Sequence, residues 1–274
     1  MGFSILRRTA VAPVDAREPS DYDLSMALTP AQIHKLRRWN TPSIANALEQ
    51  ISRADPLKLV NLEETRDFMP EMGPMMGYAM TVVISGGDPR PKRDQPDNFT
   101  RYREYLASVS GPKIVVVQDA DKPHCFGSIW GEVGANHARA LGCVGTITDG
   151  AVRDLDEMKA AGFKAIARRL AVSHAHCWPL HWGGEVEVFG TKVKPGQLIH
   201  ADKHGFIIIP SDGQKHLLEA ARFMDDNECD TVIPAGSDSA GRTSKEILTG
   251  MKKAAASFGA NAHRKYRSGG GEWK

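Results

Sequence analysis

A chain of 274 residues with 41% apolar and 25% charged side chains can bury a real core, and the length suits one α/β domain with extensions. The formal net charge of +2 argues against a dedicated nucleic-acid surface, which would carry a basic stripe. No run of 18 apolar residues is present, so no membrane span is expected; four scattered cysteines without a CxxC pair fit a reduced, cytoplasmic protein better than a disulfide scaffold.

The first residues, 1–27, read as a plain N-terminal extension. Asp15, Glu18 and Asp21 argue against a transit peptide, and Leu6 stands where a myristoylation signal needs Ser or Thr. Thr29-Pro30 predicts a capped helix start, and Thr41-Pro42 opens a second helix through Ile44, Ala47, Leu48 and Ile51. "GYAMTVVI" (77–84) reads as a buried strand. Residues 85–98, rich in proline, glycine and charge, read as a loop. "KIVVVQDA" (113–120) predicts the next strand.

Residues 131–142 predict a helix, with Ala135, Ala138 and Leu141 at helical spacing and Gly142 as a stop. "VGTITD" (144–149) predicts a strand, 154–162 a short helix ending at Gly162, and 164–169 another strand. Residues 185–210 predict three short strands with turns at Gly190, Pro195-Gly196 and His204-Gly205. Ser211 is expected to cap a helix to about residue 227, and a last helix is expected over 243–258. The tail "RKYRSGGGEWK" is expected to be disordered. Strands and helices alternate in the middle of the chain, which predicts a single mixed α/β domain.

One stretch concentrates chemistry. In "GTITDGAVRDLDE" (145–157) an apolar run gives way to Arg153, Asp154, Asp156 and Glu157 where a strand hands over to a helix. Ligands of open α/β sheets collect at the carboxyl ends of strands. An arginine there can grip a carboxylate through two parallel hydrogen bonds, and an aspartate can hold a hard divalent cation. The alternative is structural: Arg153 pairs with Asp156 or Glu157, and Asp154 caps the helix. Twenty residues before Arg153, "WGEV" (130–133) opens a helix whose free N–H groups favour anions, and Glu132 adds a carboxylate that could cap it or face a cation shared with Asp154.

The pattern Glu132, Arg153, Asp154, Glu157 resembles the signature of the class II pyruvate aldolases of the 4-hydroxy-4-methyl-2-oxoglutarate aldolase type and of the RraA-like proteins that share their fold. Segments 41–48, 77–82, 131–163 and 193–210 resemble them too, so the likeness covers roughly residues 28–228. It implies an RraA-like (swivelling β/β/α) domain over 28–228, with 1–27 and a C-terminal helix and flexible tail over 229–274 as extensions. It further implies Mg2+ or Mn2+ held by Asp154, with Glu132 holding water on it. Arg153 would grip pyruvate. Gly131, Val133 and Gly134 would bind its carboxylate through the backbone. A homotrimer or homohexamer is implied, in which an acid from a neighbouring C-terminal helix reaches the metal; Glu228 is the candidate, with Asp225 and Asp226 beside it. The implied reaction is cleavage of a 4-hydroxy-2-oxo acid to pyruvate and a second carbonyl compound, with oxaloacetate decarboxylation as a companion. Two departures stand out: Glu rather than Asp at 132, and Asn46 where many relatives carry Asp.

Two rival readings stand beside this one. RraA-like relatives include regulators that bind RNase E without catalysis, and a metal-dependent hydrolase or isomerase on a related acid would need similar groups. No glycine-rich loop for S-adenosylmethionine or a nucleotide is visible; "SGGD" (85–88) is too short. "SHAHCWPLHW" (173–182) gathers His174, His176, Cys177 and His181, readable as a substrate-facing loop, a plain surface loop or a second metal site, although its spacing matches no structural zinc pattern.

Overall fold

A computed structural model describes residues 28–267. The first part of the chain forms helices α1 (Pro30–Leu36) and α2 (Thr41–Ile51), strands β1 (Arg66–Asp67) and β2 (Met75–Ser85), helices α3 (Arg90–Asp94) and α4 (Asn98–Ala107), and strand β3 (Lys113–Asp119). Helix α5 (Glu132–Ala140), strand β4 (Cys143–Val152), helix α6 (Leu155–Ala160) and strands β5 (Lys164–Leu170), β6 (Trp178–Trp182), β7 (Val186–Val188) and β8 (Thr191–Val193) follow. Strands β9 (Leu198–Asp202) and β10 (Gly205–Ile209) precede helices α7 (Ser211–Gln214), α8 (Leu217–Asp230), α9 (Val232–Ser237) and α10 (Ser244–Tyr266).

The sheet is mixed and nearly closed. Its order is β1-β5-β4-β3-β2-β9-β10, with β6 also paired to β2. Strands β2, β3, β4 and β5 run parallel, while β9, β10, β1 and β6 pair antiparallel. Strand β2 is buried along its whole length, as a strand covered on both faces must be, and it reads as a continuous apolar run. Met75, Ala79 and Val83 face an inner core closed by the β7–β8 hairpin. On the other face Met80, Val82 and Ile84 pack under α4, α5 and α6, while Met76 and Tyr78 pack under α1, α2 and α8. Phe258 of α10 joins this second helical layer, so the C-terminal helix shares the core.

The helix starts follow their capping chemistry. Thr29 and Gln32 make a reciprocal capping box on α1. At α2 the cap is Asn40, whose side chain accepts from the Ser43 N–H at 2.9 Å, and Thr41-Pro42 forms the first turn.

Several expectations need correction. Strand β4 does not end at Asp149-Gly150; it continues through a bulge to Val152, because Asp149 is buried and balanced by Lys122. The 185–210 region holds four strands rather than three. The 85–98 loop contains the short α3. Ser211 does not cap a long helix: α7 ends at Gln214 and α8 starts afresh at Leu217, running to Asp230. Helix α10 runs to Tyr266, beyond the expected end, and starts on a Thr243–Glu246 capping box. The 1–27 extension and residues 268–274 of the tail lie outside the described residues.

Candidate active site

Because β2 to β5 are parallel, their carboxyl ends deliver four connections to one edge of the sheet. A cavity of about 270 Å³ lies there. One wall is Gly131, Val133, Gly134 and Arg153, at the start of α5 and the end of β4. It is also lined by His174, His176, Cys177 and Trp178 from the connection after β5, by Lys92 of α3 and by Phe99 and Arg103 of α4. The size suits a small organic molecule; pockets for drug-sized ligands run about 300–1,000 Å³.

Asp154 stands behind the first wall and joins its two halves. It adopts left-handed backbone angles, φ 51° and ψ 51°, at the position before α6. Such a conformation is unfavourable for a non-glycine residue and collects at functional sites. Its side chain does not cap α6; Oδ2 instead accepts the backbone N–H of Glu132 at 3.1 Å, and the Arg153 guanidinium lies 3.5 Å from the same oxygen. The purely structural alternative for this stretch therefore fails on both counts, since Arg153 pairs with neither Asp156 nor Glu157 among the described residues. Gly131 makes the approach possible: a Cβ there would sit 2.5 Å from Asp154 Oδ2 and 3.1 Å from Arg153 Nε. With φ of 174° Gly131 is merely extended, so its glycine is a matter of space.

The start of α5 offers free donors. The Glu132 N–H is taken by Asp154, whereas those of Val133 and Gly134, beside the cavity, belong to the first turn and have no intrahelical partner. The Glu132 side chain is exposed and makes no hydrogen bond or ion pair among the described residues. Asp154 Oδ1 is likewise unbonded there. Each of these carboxylates offers hard oxygen donors. No group of three His, Cys, Asp or Glu side chains is placed to hold a metal among the described residues. Mg2+ binds through one or two carboxylates and keeps several waters, so Asp154 and Glu132 fit such an ion.

A buried acidic network lies under the connections. Asp121 Oδ2 accepts from Ser85 Oγ at 2.8 Å and from the N–H groups of Gly86 at 2.7 Å and Gly87 at 2.8 Å. The "SGGD" glycines thus spend their donors on Asp121. Asp149 Oδ1 accepts the Asp119 N–H, and its Oδ2 pairs with Lys122 Nζ at 2.7 Å. Asp119 Oδ1 accepts the Asp121 N–H, while its buried Oδ2 has no hydrogen-bond partner among the described residues. Burial pushes the Asp119 carboxyl up to about 6, with the charges of Asp121 and Asp149 adding to it against the Asp121 N–H. This network ties the ends of β2, β3 and β4 together.

Of the residues singled out in the sequence, Gly131, Glu132, Val133, Gly134, Arg153 and Asp154 come together here. Glu228 does not: it sits on α8 and accepts from Asn46 Nδ2 at 3.2 Å, and Asp225 takes the Trp39 indole N–H at 2.9 Å. The two positions 46 and 228 are thus hydrogen-bonded to each other. His174 and His176 line the cavity, on a connection that is pinned rather than extended. Ser128 N–H donates to Ser173 O, His176 N–H to Gly86 O, and a Cβ on Gly127 would collide with His174 O at 2.5 Å. His181 lies in β6, away from that wall. Sequence reasoning missed Lys92, Phe99 and Arg103. The signal for α4 is present in the spacing of Phe99, Tyr102 and Leu106, but the polar residues between them mask it.

The fold and this edge define a class: a mixed α/β protein with free helix-start N–H groups, an arginine and two carboxylates at the carboxyl ends of parallel strands. The chain belongs to the RraA-like family (Aldolase/RraA), whose sequence profile matches residues 41–208. A relative from Halalkalibacterium halodurans bearing the name "Putative 4-hydroxy-4-methyl-2-oxoglutarate aldolase" is 27% identical over 194 residues, covering 69% of this chain and 81% of its own. A Pseudomonas syringae pv. tomato protein of uncharacterized function shares the fold with a TM-score of 0.59 at 20% identity, over 81% of this chain and 94% of that one. Streptomyces coelicolor RraAS2, described as an unusual member of the RNase ES inhibitor RraA protein family, shares it with a TM-score of 0.57 at 17% identity, over 78% and 98%. No helix among the described residues is long and apolar enough to cross a membrane.

Proposed function

We propose that this cavity is the active site of a divalent-metal-dependent lyase that cleaves a 4-hydroxy-2-oxo acid between C3 and C4, releasing pyruvate and a second carbonyl compound. The observation that carries the reading is the convergence of Arg153 and the free N–H groups of α5 on the wall of a small cavity, with the strained Asp154 carboxylate anchored beside them on the Glu132 N–H. The relative named for a 4-hydroxy-4-methyl-2-oxoglutarate aldolase supports the same reading.

Asp154 and Glu132 would hold Mg2+ or Mn2+, which when bound would supply Lewis-acid polarisation of the 2-oxo group. The N–H groups of Val133 and Gly134 receive the substrate carboxylate at the positive end of α5. Arg153 lies where it can grip the same acid and face the negative charge that grows on the 2-oxo oxygen as the C3–C4 bond breaks. The Glu132 carboxylate, exposed and without a hydrogen bond among the described residues, would hold the water that takes the proton of the C4 hydroxyl. Loss of CO2 from oxaloacetate develops the same charge at the same oxygen, so oxaloacetate decarboxylation follows from the same residues. Glu228 would take part only from a neighbouring subunit, in a homotrimer or homohexamer.

The test is pyruvate release from oxaloacetate and from 4-hydroxy-2-oxoglutarate, with and without added Mg2+ or Mn2+. Metal-dependent release of pyruvate from both is expected. A folded protein that releases none under any of these conditions would refute the lyase reading and return the chain to a binding role.

A further inference from the structure

We propose that His174 is the proton carrier of the reaction, its Nε2 taking up the proton released in C3–C4 cleavage and delivering it to C3 of the pyruvate enolate; the inference rests on the lyase reading for the cleavage itself. His174 and Arg153 line the same cavity. The His174 ring is fixed in one tautomer. Its Nδ1 lies 2.8 Å from Ala175 O, and a carbonyl oxygen only accepts, so Nδ1 carries the hydrogen. In the neutral ring Nε2 then holds the lone pair, and it makes no hydrogen bond among the described residues. Few other groups around the cavity can accept a proton. Lys92, Arg103 and Arg153 are donors without an acceptor position, and no Asp or Glu side chain of the described residues lines the cavity. Burial pushes the Cys177 thiol up to about 12. The bases lining the cavity are therefore the imidazoles of His174 and His176, and of the two His174 has its tautomer set by a hydrogen bond.

The turn that carries His174 is built to hold this arrangement. Ala175 has a left-handed φ of 47°, unfavourable for a non-glycine residue, and such strain persists only where the surroundings impose it. Here the Ala175 N–H donates to Ser173 Oγ at 2.9 Å, the Cys177 N–H to His174 O at 3.0 Å and the His176 N–H to Gly86 O at 3.1 Å. The Ser128 N–H donates to Ser173 O at 3.2 Å, and a Cβ on the adjoining Gly127 would lie 2.5 Å from His174 O and 2.8 Å from Ala175 Cβ. The connections after β3 and β5 are thus locked together at His174, and a group that moves a proton gains from being held. Cleavage turns the electron pair of the C4 O–H bond into a carbonyl and that of the C3–C4 bond into the enolate. One proton leaves the C4 oxygen, and one must reach C3 before pyruvate departs. The water on Glu132 takes the first; Nε2 takes it from that water, and the imidazolium gives it to C3. Atoms and charge balance without a further reactant. After loss of CO2 from oxaloacetate the proton for C3 comes from solvent, which the exposed His174 reaches.

The experiment compares the wild-type full chain in Mg2+ with His174→Asn and His174→Ala. An asparagine amide can donate to Ala175 O as Nδ1 does, but it has no basic nitrogen. Two rates are measured: pyruvate release from 4-hydroxy-2-oxoglutarate, and exchange of the pyruvate methyl hydrogens for deuterium in D2O, followed by proton NMR. The second reports proton transfer at C3 alone. His174→Asn should lower kcat for both by about a hundredfold or more, with KM within about threefold and an unchanged thermal melt. Added imidazole should restore part of the exchange in His174→Ala and leave the wild type unchanged. Wild-type cleavage and exchange in His174→Asn would overturn the proton carrier and leave the lyase reading standing. A loss expressed only in KM, with exchange intact, would overturn it too and make His174 a binding residue. A wild type that cleaves no 4-hydroxy-2-oxo acid but exchanges the pyruvate methyl, with that exchange lost in His174→Asn, would refute the lyase reading and keep His174 as the carrier. A wild type that does neither would refute both.

Discussion

The backbone N–H of Glu132 donates to Asp154 Oδ2 at 3.1 Å across 22 positions of sequence. One hydrogen bond thus joins the start of α5 to the end of β4 and turns the Asp154 carboxylate away from its own helix. The space for it exists only because residue 131 lacks a side chain.

Gly131→Ala should therefore disturb the site more than the fold. A Cβ 2.5 Å from Asp154 Oδ2 forces the carboxylate or the helix start to shift. Displacement of a reacting group by about 1 Å can cost about a hundredfold in rate. We expect pyruvate release to fall by roughly that factor, with far-UV circular dichroism unchanged. Undiminished turnover would mean that the Asp154 position is not used.

Asp154→Asn keeps a residue type that tolerates left-handed backbone angles and can still accept the Glu132 N–H. Stability should stay within about 1 kcal/mol of wild type, while metal-dependent activity is nearly lost, because a neutral amide is a poor ligand in a site with few protein ligands. Full turnover by this variant after EDTA treatment would remove Asp154 from the metal site.

The buried acids give the protein a pH signature. Asp119 titrates near 3.8 when unfolded and at about 6 in the fold, where burial disfavours its charge. The stability its proton contributes is full below pH 3.8 and is lost as pH rises through about 6; a shift of this size amounts to roughly 3 kcal/mol. Asp119→Asn should remove that slope, so that urea melts show the variant gaining on wild type between about pH 4 and 7. Parallel pH curves would show that the Asp119 carboxyl ionises normally.

Lys164 is buried and donates to Asp67 Oδ2 at 2.6 Å and to Met69 O at 2.8 Å, holding β1 and the following turn against β5. Breaking a buried pair from one side costs about 3–5 kcal/mol. Lys164→Met should lower the melting temperature accordingly, and the Lys164→Met/Asp67→Leu double variant should recover part of it. A loss below about 1 kcal/mol in the single variant would show that the pair is not isolated from solvent.

How much of this is legible in the chain differs from element to element. Thr29-Pro30 and strands β2, β3 and β5 carry their signals locally, in a cap and in apolar runs, and they form close to where expected. Asp149 looks like a strand end because an acid in an apolar run normally marks one; its partner Lys122 lies 27 positions away, and no local pattern announces such a pair. Glu132, Arg153 and Asp154 are legible as a spacing, but the reason for Gly131 is not, since it depends on contact between two separate connections. Helix α4 is hidden because residues such as Arg101, Arg103 and Glu104 interrupt its apolar stripe, and Arg103 is hidden with it. The His174–Cys177 connection is readable only as a set of open alternatives; its place on the cavity wall comes from its hydrogen bond to Gly86 and from the neighbouring Ser128–Ser173 pair.

The central claim, that Arg153 holds the substrate acid and faces the charge of the transition state, is tested most directly by steady-state kinetics of Arg153→Lys beside a thermal melt. Lysine retains the charge but not the fork. Loss of a charge-assisted contact worth about 1.5–3 kcal/mol predicts a fall in kcat/KM of about ten- to hundredfold, with KM raised, kcat lowered and inhibition by pyruvate weakened, at nearly unchanged melting temperature. Unchanged kinetics and pyruvate inhibition with a lowered melting temperature would contradict it and leave Arg153 a structural partner of Asp154.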